Sequence, residues 1–139
     1  LAVDALGGRP GVLSARYAAD SEARNRRVLD ELAGVAGDRR AARFVCVAAI
    51  ADPEGRVAFE RGEVFGKIAL SPRGAAGFGY DPIFELTETE FAGKTTAEIL
   101  PAEKNKISHR GRALAAVVDL LAASLAEGRV AAAAIKGRP

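Results

Sequence analysis

Two strand-like stretches stand back to back with only a turn between them. ARFVCVAAIAD covers 42–52 and RVAFERGEVFGKIAL covers 56–70, joined by DPEG at 52–55. Runs rich in β-branched and aromatic residues, bounded by a Pro–Gly turn, read as paired strands. So short a link leaves no room for a crossover, so the second stretch pairs back on the first as an antiparallel hairpin of unusual length. The first stretch, apolar over its length, is expected to be a buried central strand. The second reads as one long strand or two short ones, with Gly62 and Gly66 the expected bulge points.

Helical signals flank this hairpin. LGGRPG at 6–11 is a turn cluster, and VLSARYAAD after it suits a short helical turn. Asp20 or Ser21 offers an N-cap for a helix running to about Ala36, with Val28, Leu29, Leu32 and Val35 or Ala36 on its apolar stripe. Arg24, Arg26 and Arg27 fall around the rest of that helix and read as a solvated face. SPRGAAGFGYDP at 71–82 has the Gly and Pro content of a structured loop, and IFEL is a short strand. Thr95 or Thr96 is placed to cap a helical turn reaching Leu100, and Pro101 suits a first helical position. From Ser108 onward, Leu114, Val117, Val118, Leu121 and Leu125 recur at helical spacing, with Gly128 as the stop. The expectation is a single α/β domain over 1–139, with a mixed, antiparallel-rich sheet and flanking helices.

Composition excludes several function classes. Twenty basic and 18 acidic side chains leave a net charge of +2, too balanced for general nucleic-acid or membrane-surface binding. No apolar run reaches membrane-spanning length. A lone Cys46 in an apolar strand reads as core packing and fits a reducing compartment such as the cytoplasm. His109 is the only histidine, so no histidine pair can hold a metal. There is no P-loop, and GAAGFG carries its glycines in the wrong order for a dinucleotide fingerprint. Ser108 beside His109 makes a poor nucleophile pair, because neighbouring helical residues diverge by about 100°.

Two constellations remain. In GFGYDP, Phe78 stands between two glycines that cannot cover its ring, and such a face can stack on a base. Asp81 can accept a hydrogen bond from a ring N–H, and Pro82 biases it towards an extended backbone. The bland alternative is a glycine-rich turn whose aromatics cap the core. In EKNKISHRG, Lys104, Lys106, His109 and Arg110 gather around a helix start, where free N–H donors favour an anion or an electron-rich oxygen. The bland alternative there is a solvated basic patch. Together they describe a nucleotide pocket. Its donors suit the acceptor of a 6-oxo purine and oppose the 6-amino group of adenine.

LAVDALGGRPGVLSARYA, FGYDPIF, GKTTAEI and EKNKISHRGRAL occur in the order, and at about the spacing, found in the inosine/xanthosine triphosphate pyrophosphatases, which this chain resembles from Leu1 to about Leu121. The resemblance implies hydrolysis of ITP, dITP and XTP to the monophosphate and pyrophosphate with Mg²⁺. It also implies a cytoplasmic homodimer. Carried over by residue, Phe78, Gly79, Tyr80 and Asp81 bind the base, Lys104 contacts the ligand, and His109 with Arg110 recognises the base, supported by Ser108.

The family's phosphate loop, its metal-binding glutamate and its Asp-Asp-Ser-Gly segment with the water-activating aspartate would all lie before Leu1. Asp4 is the only nearby acid, and no spacing makes it a substitute. The expectation is therefore the C-terminal portion of such an enzyme, keeping base recognition, weakly active or inactive, and prone to associate. The rival is a catalytically inactive nucleotide-binding or subunit-contact module.

Overall fold

The computed structural model describes residues 1–126. Four strands form one sheet in the order of the chain: β1 (Ala2–Val3), β2 (Ala41–Ala51), β3 (Val57–Ile68) and β4 (Phe84–Leu86). Every pairing among them is antiparallel. Three helices accompany the sheet: α1 (Ser21–Glu31), α2 (Pro101–Ile107) and α3 (His109–Ala126). The expected α/β architecture with an antiparallel-rich sheet is what the chain adopts.

β2 and β3 pair along their whole length, from Ala41 opposite Lys67 to Ala51 opposite Val57. The register never slips, so Gly62 and Gly66 are not bulges, contrary to expectation. They serve packing instead. A Cβ on Gly62 would stand 2.1 Å from the His109 carbonyl oxygen and 2.5 Å from the Ala113 nitrogen. At Gly66 it would meet the Glu85 carbonyl at 2.4 Å and the Phe84 ring at 2.8 Å. The missing side chains let α3 and the Phe84 ring lie directly on the hairpin.

That close approach decides which face of α3 is buried. Ala113 and Val117 pack inward, while Leu114, Val118 and Leu121 are exposed. The expected stripe is thus corrected in all but Val117: small residues, not leucines, meet a glycine at short range. The side chain of Leu125 and the expected stop at Gly128 lie outside the described residues. β2 is also less buried than its composition suggests. Its even-numbered positions share a face with Phe44, whereas Val47, Ala49 and Ala51 are exposed on the other face. Cys46 is half-buried rather than core.

α1 begins where expected, with the Asp20 carboxylate accepting the Ala23 N–H at 2.8 Å. It ends at Glu31, short of Ala36, yet Val28 and Leu32 are fully buried. The buried Arg40 guanidinium collects the carbonyls of Leu32, Val35 and Ala69, capping this helix end from outside it. Two of the three helix arginines also do more than face solvent. Arg27 donates to the Tyr17 carbonyl and stacks over the Tyr17 ring, and Arg24 donates to the Ala15 carbonyl. Arg26 pairs with Glu22 on the surface, and Arg27 also pairs with Glu31.

The core joins Val3, Leu6 and Tyr17 to Val28 and Leu32 of α1 and to Val64, Ile68, Ile83, Phe84 and Leu86 of the sheet region. Residues 93–100 form turns, not the helical turn expected from Thr95 or Thr96. Thr95 instead donates its N–H to Glu98 and its hydroxyl to the Arg73 carbonyl. Both threonines are buried and tie this segment to the loop before β4.

Candidate functional site

The hairpin positions the site through Phe44. Its ring, on the α3-facing side of β2, lies 4.9 Å from the His109 ring at an interplanar angle of 23°. It also packs against Phe84 at 4.1 Å. His109 is the first residue of α3, so the strand fixes where that helix starts. Ser108 precedes it in extended conformation and accepts the Gly111 N–H at 3.0 Å, acting as the helix cap. The turn between α2 and α3 therefore delivers Lys104, His109 and Arg110 to one place.

The opposite wall is the loop 77–82. Asp81 is buried, and its carboxylate accepts from the Phe78 N–H at 2.7 Å, from the Thr96 hydroxyl at 2.8 Å and from the Lys104 ammonium. Its oxygens thus already accept from three groups of the protein, and these bonds shape the loop. Asp81 also opens a 3-10 turn through Ile83 instead of being extended by Pro82. Gly77 makes this possible. At φ +82°, a Cβ there would stand 2.2 Å from the Asp81 Oδ2, so only glycine lets the carboxylate fold back onto Phe78.

Tyr80 points the other way. Its ring is buried and its hydroxyl donates to the Ser14 carbonyl at 2.7 Å, tying the loop to the 3-10 turn at Gly11–Arg16. Burial pushes its phenol up to about 12, so it stays a neutral donor. Phe78 is the ring left open, 62% exposed. The Lys104 nitrogen and the Arg110 guanidinium carbon each lie 4.7 Å from its centroid. Two cations held by one ring leave a flat, electron-poor platform at the cavity mouth.

These walls enclose a cavity of about 300 Å³. Phe78, Gly79, Tyr80 and Asp81 line it from one side, and Lys104, His109 and Arg110 from the other. Its floor is apolar, with Leu1, Val64, Leu86 and Ile107. The size is at the small end of ligand pockets and admits a flat heterocycle. Lys106, grouped with the donors in the sequence, does not line it. Phe44, Ser14 and Thr96 do, and sequence reasoning passed them over. Phe44 could have been found from strand alternation, since it shares a face with Ala42 and Cys46; Ser14 and Thr96 carry no local signal.

His109 is held well away from its ordinary protonation. Burial comes first among the causes, followed by the positive charge of Arg110, and together they push the imidazole down to about 4. At neutral pH the ring is uncharged and presents one donor and one acceptor. The positive charge at the cavity is that of Lys104 and Arg110. Among the described residues, no group of three His, Cys, Asp or Glu could hold a metal ion, and Asp4 is paired with Arg43 at 3.1 Å. No helix among them is long and apolar enough to cross a membrane.

Fold and cavity together define an α/β protein whose small pocket is bordered by two cations, Lys104 and Arg110. Residues 1–120 match the Ham1 family, and the chain belongs to it. A dITP/XTP pyrophosphatase of Symbiobacterium thermophilum is 50% identical over 129 residues, covering 92% of this chain and 64% of that protein. One from Geobacillus kaustophilus is 54% identical over 117 residues, covering 82% and 56%. Among solved structures, the Ham1 protein of Staphylococcus aureus superposes with a TM-score of 0.80 at 37% identity, over 88% of this chain and 62% of that one. The dITP/XTP pyrophosphatase of Mycobacterium abscessus gives 0.71 at 45% identity, over 84% and 62%. The chain thus spans roughly three-fifths of the length of these relatives.

Proposed function

We propose that this chain carries the base-reading part of an enzyme that hydrolyses dITP, ITP and XTP to the nucleoside monophosphate and pyrophosphate. The observation that carries the reading is the convergence of Phe78, Lys104, His109 and Arg110 on one cavity from segments 26 or more residues apart. Phe78 supplies the stacking face. Arg110 and the neutral His109 supply donors, which a 6-oxo purine satisfies and a 6-amino purine does not. A donor left facing a donor loses its hydrogen bond and its hydration together, which makes discrimination steep. Asp81 binds no base edge in this account; it positions Phe78 and Lys104. Tyr80 anchors the loop to the protein interior.

The same reading includes a magnesium-dependent reaction, a homodimer and a cytoplasmic setting. Among the described residues no group of His, Cys, Asp or Glu side chains fits a magnesium site. What these residues do is bind and orient: they hold the purine, and Lys104 places one fixed positive charge beside it.

The test is calorimetric titration of inosine monophosphate into the chain and into Phe78→Ala. Removing the ring should weaken binding by about 1–3 kcal/mol, the worth of one base–aromatic stack. Equal affinity for the two proteins would remove Phe78, and with it the reading, from base recognition.

A further inference from the structure

The His109 imidazole is held in an unusual way. Histidines that work at a site are commonly oriented by a hydrogen bond from one ring nitrogen to a carboxylate or a backbone carbonyl. Here neither ring nitrogen has a hydrogen-bond partner among the described residues. His109 also opens α3, so no earlier turn of its own helix lies beneath the side chain. What the ring does have is a flat neighbour, Phe44, with centroids 4.9 Å apart and planes only 23° from parallel.

Phe44 can hold a plane because it is held itself. It stands on β2 opposite Val64 of β3, a buried residue. Its ring also meets that of Phe84 at 4.1 Å, and Phe84 is fully buried. Phe84 lies in turn on Gly66, where an added Cβ would come within 2.8 Å of its ring. The His109 backbone is pinned as well, since its carbonyl oxygen lies 2.1 Å from where a Cβ on Gly62 would stand. The hairpin grips His109 twice, by its backbone from β3 and by its ring from β2.

The plane matters because an imidazole hydrogen-bonds only along its edge, through an N–H and a lone pair that lie in the ring plane. Whatever fixes the plane aims the bond. An aliphatic side chain could fill the same space beside His109, but it would leave the ring free to tilt. The surrounding charges do not replace the stack. Arg110 of α3, Lys104 of α2, Asp81 of the loop and the Leu1 amino group all act on the charge of the imidazole, and none of them bonds to it.

We infer that Phe44 is a positioning residue for base recognition: its flat ring sets the plane of His109 so that the imidazole edge meets the 6-oxo side of the purine. This rests on the purine reading given above. Phe44 acts here through His109 and not through a bond of its own to the base.

The experiment compares the parent chain with Phe44→Leu and Phe44→Tyr. Each is followed by a thermal melt, by NMR titration of the His109 ring protons with pH, and by titration with inosine and adenosine monophosphates. Leucine keeps apolar bulk and loses the plane, whereas tyrosine keeps the plane. In Phe44→Leu the imidazole should swing towards water, and its midpoint should rise from about 4 towards 6.5. Inosine monophosphate should bind that variant about tenfold more weakly, as for one lost hydrogen bond, and adenosine monophosphate as before. Phe44→Tyr should keep the parent's midpoint and preference. A leucine variant that only melts lower, with both of those unchanged, makes Phe44 a core residue and overturns the inference. A tyrosine variant that loses the preference as leucine does overturns it too, and so does failure of the leucine variant to fold. A parent that binds the two nucleotides alike overturns the purine reading, and this inference falls with it.

Discussion

The imidazole of His109 is wedged between the Phe44 ring and the positive charge of Arg110, and its chemistry can be followed without interference because no other histidine exists. Its ring protons, followed by NMR, should titrate with a midpoint near 4 rather than the usual 6.5. The sign for stability follows from linkage. Between those two values the unfolded chain holds the proton and the folded chain does not, so falling pH favours unfolding. The contribution is whole above about 6.5 and is lost as pH drops towards 4. A midpoint near 6.5 would mean that the ring is solvated and that the cavity is more open than described. Asp81 makes the second residue-scale case. Asp81→Ala strands the Lys104 ammonium and the Phe78 N–H, and urea unfolding should show a loss of about 3–5 kcal/mol. Adding Lys104→Met should recover part of it. A loss below about 1 kcal/mol would show that the pair is solvated. The sequence placed Asp81 at the pocket, but an acid beside an aromatic gives no hint that a threonine 15 residues later and a lysine 23 residues later also bond its oxygens.

Among the elements, the contact between α3 and the hairpin is the one on which the site depends, since His109 opens that helix. Gly62→Ala puts a methyl group against helix backbone that cannot rotate out of the way, so α3 must lift from β3. The expected cost is about 1–3 kcal/mol in urea unfolding, with a displaced His109 resonance. Gly37→Ala, where nothing lies within 4 Å of the added carbon, is the matched control and should change little. Equal effects from the two would contradict the packing account. The same glycine shows how far sequence reasoning reaches. Both strands, their turn and all three helices could be read from period and punctuation, and α2 starts at Pro101 as expected. A glycine inside a strand, however, signals either a bulge or a close neighbour, and local sequence does not separate the two. The leucine stripe of α3 misled for a related reason: its spacing shows a helix, but the face that packs was chosen by Gly62 on another element.

At the scale of the whole molecule, the hairpin acts as a fixed strut with the site at one end. β1 and β4 pair near Ala42 and Gly66, the core gathers at that end, and the cavity opens between the loop before β4 and the α2–α3 corner. The far end carries exposed apolar residues, among them Val47, Val57 and Phe59. Phe78, Gly79, Tyr80, Asp81, Lys104, His109 and Arg110 line the cavity and Lys106 does not, so most of the location was readable from two short motifs. Their division of labour was not. Exposed Phe78 and buried Tyr80 are two positions apart in one motif, and only the fold tells the open ring from the anchored one. Phe44 lies outside both motifs and reaches the site through a contact that bridges tens of residues.

The proposed reading of a 6-oxo purine by this pocket is open to titration of the chain with inosine and adenosine monophosphates, followed by amide NMR. The account predicts that inosine monophosphate shifts the resonances of Phe78, Gly79, Tyr80, His109 and Arg110, and that adenosine monophosphate at the same concentration leaves them in place. Equal shifts from the two nucleotides, or shifts confined to residues away from the cavity, would contradict it.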